Sequence, residues 1–202
     1  MITAPGGTAS AEAVAAALRD ADRITAICHE NPDADTIGAA IAIRLIGERL
    51  GKRAEIVSAD RPGPAFAFLP RYAEILRRPA LEPDLAVVCD AATLERVGRL
   101  TSDEPEWFRR VTLVNIDHHV TNTHFGDLNL VDPTAAATCQ FWLSFCRTSR
   151  SRQTTSLPRR SWWASFATAM ASRIRAPRLT RCGSRRTSSR PGHRCPPSTA
   201  ES

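Results

Sequence analysis

Three short apolar runs, each ending in acidic or imidazole side chains, constrain the fold of this chain more than any other feature. Residues 24–28 lead into His29-Glu30-Asn31-Pro32-Asp33-Ala34-Asp35, residues 85–89 lead into Asp90, and residues 111–116 lead into Asp117-His118-His119. Runs of five or six residues rich in Val, Ile and Ala fit strands buried on both faces, the kind found in parallel sheets covered by helices. In such a sheet the ligand crevice lies beyond the carboxyl ends of the strands. Three strands built this way aim oxygen and nitrogen ligands at one place.

The segments between the runs carry helical periodicity. Ser10 is placed to cap a helix running to about Ala21, with Glu12 in its first turn and Val14 and Leu18 facing inward. Thr36 or Asp35 is expected to cap a second helix over 37–50, apolar at Ile37, Ile41, Leu45 and Ile46, and Gly51 stops it. Residues 53–58 form a further strand, 61–64 a loop, and Phe66 and Phe68 are expected to cover the core. A weak helix is expected at 93–100, a short strand at 128–131, and the start of another helix at 133–137. Strands alternating with helices predict an α/β fold with a mostly parallel sheet flanked by helices.

The pattern breaks near residue 140, so the expected organisation is a domain over 1–139 and a basic tail over 140–202. The first part holds 14 basic and 20 acidic residues, whereas the tail holds 13 Arg, no Lys and a single acid, Glu201. The overall charge of +6 therefore belongs to the tail and says nothing of the domain. Two readings of the Arg/Ser/Pro-rich tail stand: a disordered segment that binds nucleic acid, or out-of-frame translation of a GC-rich gene. The absence of Lys and the Trp162-Trp163 pair favour the second. No apolar stretch approaches the roughly 20 residues that span a bilayer, and no signal peptide is evident, so no membrane association is expected. No Cys-x-x-Cys pair occurs among the six cysteines, and Cys28 and Cys89 end apolar runs. A reducing cytoplasm is the expected compartment.

The clusters suit divalent ions. His29 and Asp33 suit one ion and Asp35 its neighbour, with Asp90 bridging the two. Carboxylate and imidazole together favour Mn²⁺ or a related ion, with Mg²⁺ or Co²⁺ as alternatives. Such a pair of ions supports in-line phosphoryl hydrolysis. The helix opening at Thr36-Ile37-Gly38 would offer N–H groups to a phosphate. Each cluster alone also has an ordinary reading: a chance H-x-x-x-D-x-D, a helix-capping Asp90, a polar turn at 117–119. Their shared position at three strand ends is what makes the joint signal.

Asp117-His118-His119 resembles the signature of the DHH phosphoesterases. The likeness continues through Val120-Thr121-Asn122, Phe125-Gly126-Asp127-Leu128-Asn129 and Asp132-Pro133-Thr134-Ala135-Ala136-Ala137-Thr138. This longer run resembles the oligoribonuclease branch that also dephosphorylates 3′-phosphoadenosine 5′-phosphate, the exopolyphosphatase-related proteins. The resemblance covers about residues 10–139 and implies a DHH-type N-terminal domain. It implies His29, Asp33, Asp35, Asp90 and His118 as ligands of two Mn²⁺, His119 as a catalytic group contacting phosphate, and Asp117 as the residue orienting the histidines. It implies short RNA or nucleotide phosphates as substrates, with homodimerisation open. The family has a later metal-binding aspartate and a glycine-rich, histidine-bearing C-terminal motif. This chain has no Asp after Asp132, and neither Gly183 nor Gly192-His193 resembles that motif. Weak or absent catalysis by this form is therefore expected. The alternatives are a family II-like inorganic pyrophosphatase, a nonenzymatic nucleic-acid binder acting through the Arg tail, and a chain without function in this form.

Overall fold

The apolar runs form the centre of a six-stranded, wholly parallel sheet. The computed structural model describes residues 8–141. In chain order the strands are β1 (Arg23–Cys28), β2 (Arg53–Ser58), β3 (Ile75–Leu76), β4 (Leu85–Cys89), β5 (Thr112–Asp117) and β6 (Leu128–Val131). Their spatial order is β3-β2-β1-β4-β5-β6. From β1 the chain first moves outward through β2 and β3, then returns to build the other half from β4. The order thus reverses between β1 and β4, the place where an open sheet leaves its crevice. Their register pairs Cys28 with Cys89, so His29 and Asp90 leave neighbouring strands at the same level.

Helices cover both faces. Helix α1 (Ala11–Asp20) and α2 (Ala34–Arg49) pack one side through Val14, Leu18, Ile37, Ile41 and Ile43, against Ile24, Ala26, Ile56, Val87 and Val114. The other side buries Ile27, Val57, Val88 and Leu113 under Val97, Leu100 and Trp107. Those three come from a 3₁₀ turn at Leu94–Val97 and two short helices, α3 (Leu100–Asp103) and α4 (Pro105–Arg110). Helix α2 is buried nearly all round because its Ala, Gly and Ile residues leave no polar face in its first three turns. At Gly47 an added Cβ would come within 2.9 Å of Ala54 Cβ, so the missing side chain lets α2 approach β2.

Polar groups tie the strand starts to the loops. Buried Glu55 accepts Thr25 Oγ1 and the N–H groups of Ala80 and Leu81. Asp84 accepts the N–H groups of Asp22 and Arg23 and the Arg23 guanidinium, anchoring β1 beside β4. At the β6 edge, Ala9 N–H donates to the Asn129 carbonyl at 2.6 Å, so residues before α1 cover part of the edge.

Several expectations change. The cap of α2 is Asp33, not Asp35 or Thr36: its carboxylate accepts both of their N–H groups. The weak helix at 93–100 is a 3₁₀ turn followed by α3, α4 was not foreseen, and neither was the two-residue strand β3. Residues 133–137 are turns, with a 3₁₀ turn at Thr138–Gln140. Phe66 packs on the core but Phe68 is 54% exposed. No helix among the described residues is long and apolar enough to cross a membrane. Apart from Gln140 and Phe141, the proposed tail lies outside the described residues.

Candidate metal centre

The centre is built on the ends of β1, β4 and β5 and on the loop entering α2. His29 follows β1 directly; its ring is buried, and its Nδ1–H is directed at the Glu30 carbonyl at 2.6 Å. That bond leaves Nε2 as the nitrogen facing Asp33 Oδ1 at 3.7 Å and Asp90 Oδ2 at 3.8 Å. His118 repeats the device one strand further along the sheet. Its Nδ1 meets the Ala135 carbonyl at 3.1 Å, and its Nε2 faces Asp90 Oδ1 at 3.5 Å and Asp35 Oδ2 at 3.8 Å. In both cases a backbone acceptor selects the tautomer that turns a lone pair inward.

Asp90 stands between the two imidazoles, with one oxygen toward each. It is buried and holds a left-handed backbone angle, φ 62°, which aspartate tolerates better than most residues. Its N–H donates to the Ile116 carbonyl, continuing the β4–β5 ladder past its last pair. His29, Asp33 and Asp90 present ligand atoms within 4.8 Å of one another, and so do Asp90, His118 and His119. Asp35 adds its carboxylate from the first turn of α2, where Oδ1 and Oδ2 accept the N–H groups of Cys139 and Thr138.

The electrostatics fit a cation. Burial first, and then the charge of Asp35, raise the pKa of Asp90 to about 6, against the Thr138 hydroxyl that lowers it. The neighbouring His29 imidazole and the N–H groups of Thr36 and Asp35 hold Asp33 at about 2, against its burial. Burial pulls the His29 imidazole down, but Asp33, the Glu30 carbonyl and Asp90 outweigh it and its pKa is raised. Three aspartates and two inward imidazole nitrogens around one space form a donor set with the charge and ligand types of a hard or borderline divalent ion. Metal binding would relieve the crowding of negative charge that burial makes unfavourable.

Asp117 and His119 sit beside this set. His119 Nδ1 is 2.6 Å from Asp117 Oδ1, and Asn122 Nδ2 donates to Asp117 Oδ2 at 2.5 Å. Asn122 also donates to Asn115 Oδ1 and to the Ala91 carbonyl, which Asn115 Nδ2 reaches too. The His119 side chain is 45% exposed while that of Asp117 is fully buried. A fixed buried base therefore holds an imidazole at the mouth of the site. His124, read from sequence as a surface residue, is partly buried at φ 55°, with its N–H on Asn122 Oδ1.

All seven residues singled out from sequence, His29, Asp33, Asp35, Asp90, Asp117, His118 and His119, meet at this crevice. The expected phosphate cradle at Thr36-Ile37-Gly38 does not form. Thr36 N–H is taken by the Asp33 carboxylate, Ile37 N–H by the Asp33 carbonyl, and Gly38 is buried within α2. Four residues contribute to the site in roles the sequence reading did not assign: Thr36, whose hydroxyl donates to the Cys89 carbonyl and accepts His29 N–H, together with Asn115, Asn122 and Thr138. Asn122 and Thr138 had a sequence signal, their places in the run that follows Asp117-His118-His119, and Thr36 had one as a candidate helix cap.

This chain is similar to several known proteins. A bifunctional oligoribonuclease and PAP phosphatase NrnA of Thermus thermophilus is 38% identical over 115 residues, covering 55% of this chain and 32% of that protein. The protein of the same description from Bacillus subtilis is 29% identical over 109 residues, 54% of this chain and 33% of that one. The chain thus spans about one third of the length of these curated relatives. An exopolyphosphatase-related protein from Bacteroides fragilis superposes with a TM-score of 0.57 at 18% identity, over 67% of this chain and 42% of that one, a likeness of fold. The family model described as DHH family, N-terminal domain, matches residues 23–172. On that match, which takes in all three strand-end clusters, the chain belongs to the DHH family.

Proposed function

We propose that this chain carries the metal-holding half of a phosphoesterase that cleaves short oligoribonucleotides or nucleotide phosphates with two Mn²⁺ ions. The observation that carries the reading is Asp90: its two oxygens face two inward-pointing imidazoles, His29 and His118, with Asp33 on one side and Asp35 on the other. In this reading His29, Asp33 and Asp90 hold one ion, and Asp35, Asp90 and His118 the other, with Mg²⁺ or Co²⁺ as substitutes. When bound, such a pair lowers the pKa of a shared water and neutralises phosphoryl oxygens. His119, with Nδ1 held by Asp117, presents its other nitrogen to the substrate phosphate. Asp117 keeps that ring oriented. The mixed donor set favours Mn²⁺ over thiolate-seeking metals, and the free thiols Cys28, Cys89 and Cys139 fit a reducing cytoplasm.

The reading is tested by adding Mn²⁺ and a labelled dinucleotide, with pyrophosphate and 3′-phosphoadenosine 5′-phosphate in parallel. Mononucleotide release that needs Mn²⁺ is expected. Pyrophosphate turnover above that of the dinucleotide would move the assignment to a pyrophosphatase. RNA retention that falls steeply with salt, without cleavage, would assign the activity to the Arg-rich tail instead. Absence of hydrolysis, both here and in a version read in the alternative frame after codon 139, rejects the phosphoesterase.

A further inference from the structure

Thr138 lies 103 residues from Asp35 and 48 from Asp90, yet it touches both. We propose that Thr138 is a positioning residue that sets the separation and orientation of the two carboxylates shared by the metal centre, an inference that rests on the two-ion reading above.

Thr138 is fully buried, and both of its donors, the hydroxyl and the N–H, go to metal-facing acids. Its Oγ1 donates to Asp90 Oδ1 at 2.9 Å, and its N–H donates to Asp35 Oδ2 at 2.8 Å. The next N–H, that of Cys139, takes the other Asp35 oxygen at 2.9 Å. The oxygens it holds, Asp90 Oδ1 and Asp35 Oδ2, are also the two that face His118 Nε2, at 3.5 and 3.8 Å. One residue therefore fixes both carboxylate partners of one imidazole.

The chemical type of the donor matters. Two neighbouring carboxylates repel, and a lysine or arginine placed between them would neutralise them and compete with a cation. A hydroxyl and an amide N–H orient the same oxygens while leaving their charge and a lone pair available. Asp90 Oδ2, on the His29 side, receives nothing from Thr138. Loss of the hydroxyl should therefore weaken the His118 side and spare the His29 side.

The test uses the full chain and reads metal rather than turnover. Wild type, Thr138→Ser and Thr138→Val are titrated with Mn²⁺ by calorimetry, and the loaded proteins are examined by electron paramagnetic resonance. Wild type and Thr138→Ser are expected to bind two ions and give the spectrum of a spin-coupled pair. Thr138→Val is expected to keep one site and bind the second ion about 10–100-fold more weakly, giving the six-line spectrum of an isolated Mn²⁺. Circular dichroism establishes that the variants fold, and Thr138→Ala serves as a second variant without the hydroxyl. A folded Val or Ala variant with two ions at wild-type affinity and a coupled spectrum overturns the role of Thr138. A defect in Thr138→Ser equal to that in Thr138→Val overturns it as well, because the methyl group and not the hydroxyl would then be what matters. Failure of the wild type to bind a pair of ions is a different result: it rejects the two-ion reading itself.

Discussion

The buried carboxylate of Asp117 holds the half-exposed ring of His119 by its Nδ1 at 2.6 Å, while its second oxygen takes the Asn122 amide at 2.5 Å. Replacing that carboxylate by an amide of equal shape leaves Asp90, His29 and His118 in place but offers His119 a different partner. Asp117→Asn is expected to lower turnover by about 10–100-fold, the usual cost of losing a partner that orients a site residue. Mn²⁺ affinity at the His29 side should be unchanged. Parallel calorimetry and dinucleotide assays check this; equal losses in both would place Asp117 in metal holding instead.

Asp90 is crowded by burial and by the charges of Asp35 and Asp33. Asparagine tolerates the same left-handed backbone angle, so Asp90→Asn removes charge without forcing the chain. Binding of both ions is expected to be lost. The metal-free melting temperature should stay level or rise by about 2–4 °C, the change that roughly 1 kcal/mol makes in a chain of this size. Thermal unfolding in a chelator measures it. A large fall in melting temperature would show that Asp90 serves the fold first.

Asp84 gives a pH signature away from the crevice. Its hydrogen bond from Arg23, with the N–H groups of Asp22 and Arg23, holds its pKa below the ordinary 3.8. A carboxylate depressed on folding contributes stability that is present above its unfolded pKa and lost as pH falls through the folded one. Asp84→Asn should therefore be less stable than wild type near neutrality, by no more than about 1 kcal/mol for so exposed a pair. The gap should narrow as the pH falls below the ordinary 3.8 and close once it has passed the folded pKa. Urea midpoints at the two pH values decide; a gap independent of pH would trace the loss to the backbone bonds alone.

Gly126 occupies a place where backbone approaches from three sides. An added Cβ would meet the Leu128 carbonyl at 2.9 Å and the Asn115 nitrogen and Leu113 carbonyl at 3.0 Å each. None of these atoms can swing away as a side chain would. Gly126→Ala is expected to destabilise the protein by about 1–3 kcal/mol, the range for overpacking, by prising β6 from β5. Denaturant unfolding checks it, and a change under about 0.5 kcal/mol, the scale of ordinary surface substitutions, would show that the 125–128 turn relaxes.

The sequence by itself determined the strands that carry the site and what their ends hold. Ile24, Ile27, Val87, Val88, Val114 and Ile116 need burial on both faces, which only a helix-covered parallel sheet provides. A residue that follows such a strand must emerge at its carboxyl end, so His29, Asp90 and Asp117-His118-His119 were legible as one group before any coordinates. Ser10 and Gly51, whose roles are local, were legible too.

What only the tertiary structure decided was which lone pair each of these residues turns inward. Asp33 rather than Asp35 caps α2 because the loop brings its carboxylate onto two adjacent N–H groups, a choice open among neighbouring aspartates in sequence. The Glu30 and Ala135 carbonyls choose the histidine tautomers, and Thr138 reaches Asp35 and Asp90 across most of the domain. Periodicity records burial and local turns record capping. A hydrogen bond between residues a hundred positions apart leaves no pattern in the chain, because its partners are brought together by the packing of everything between them.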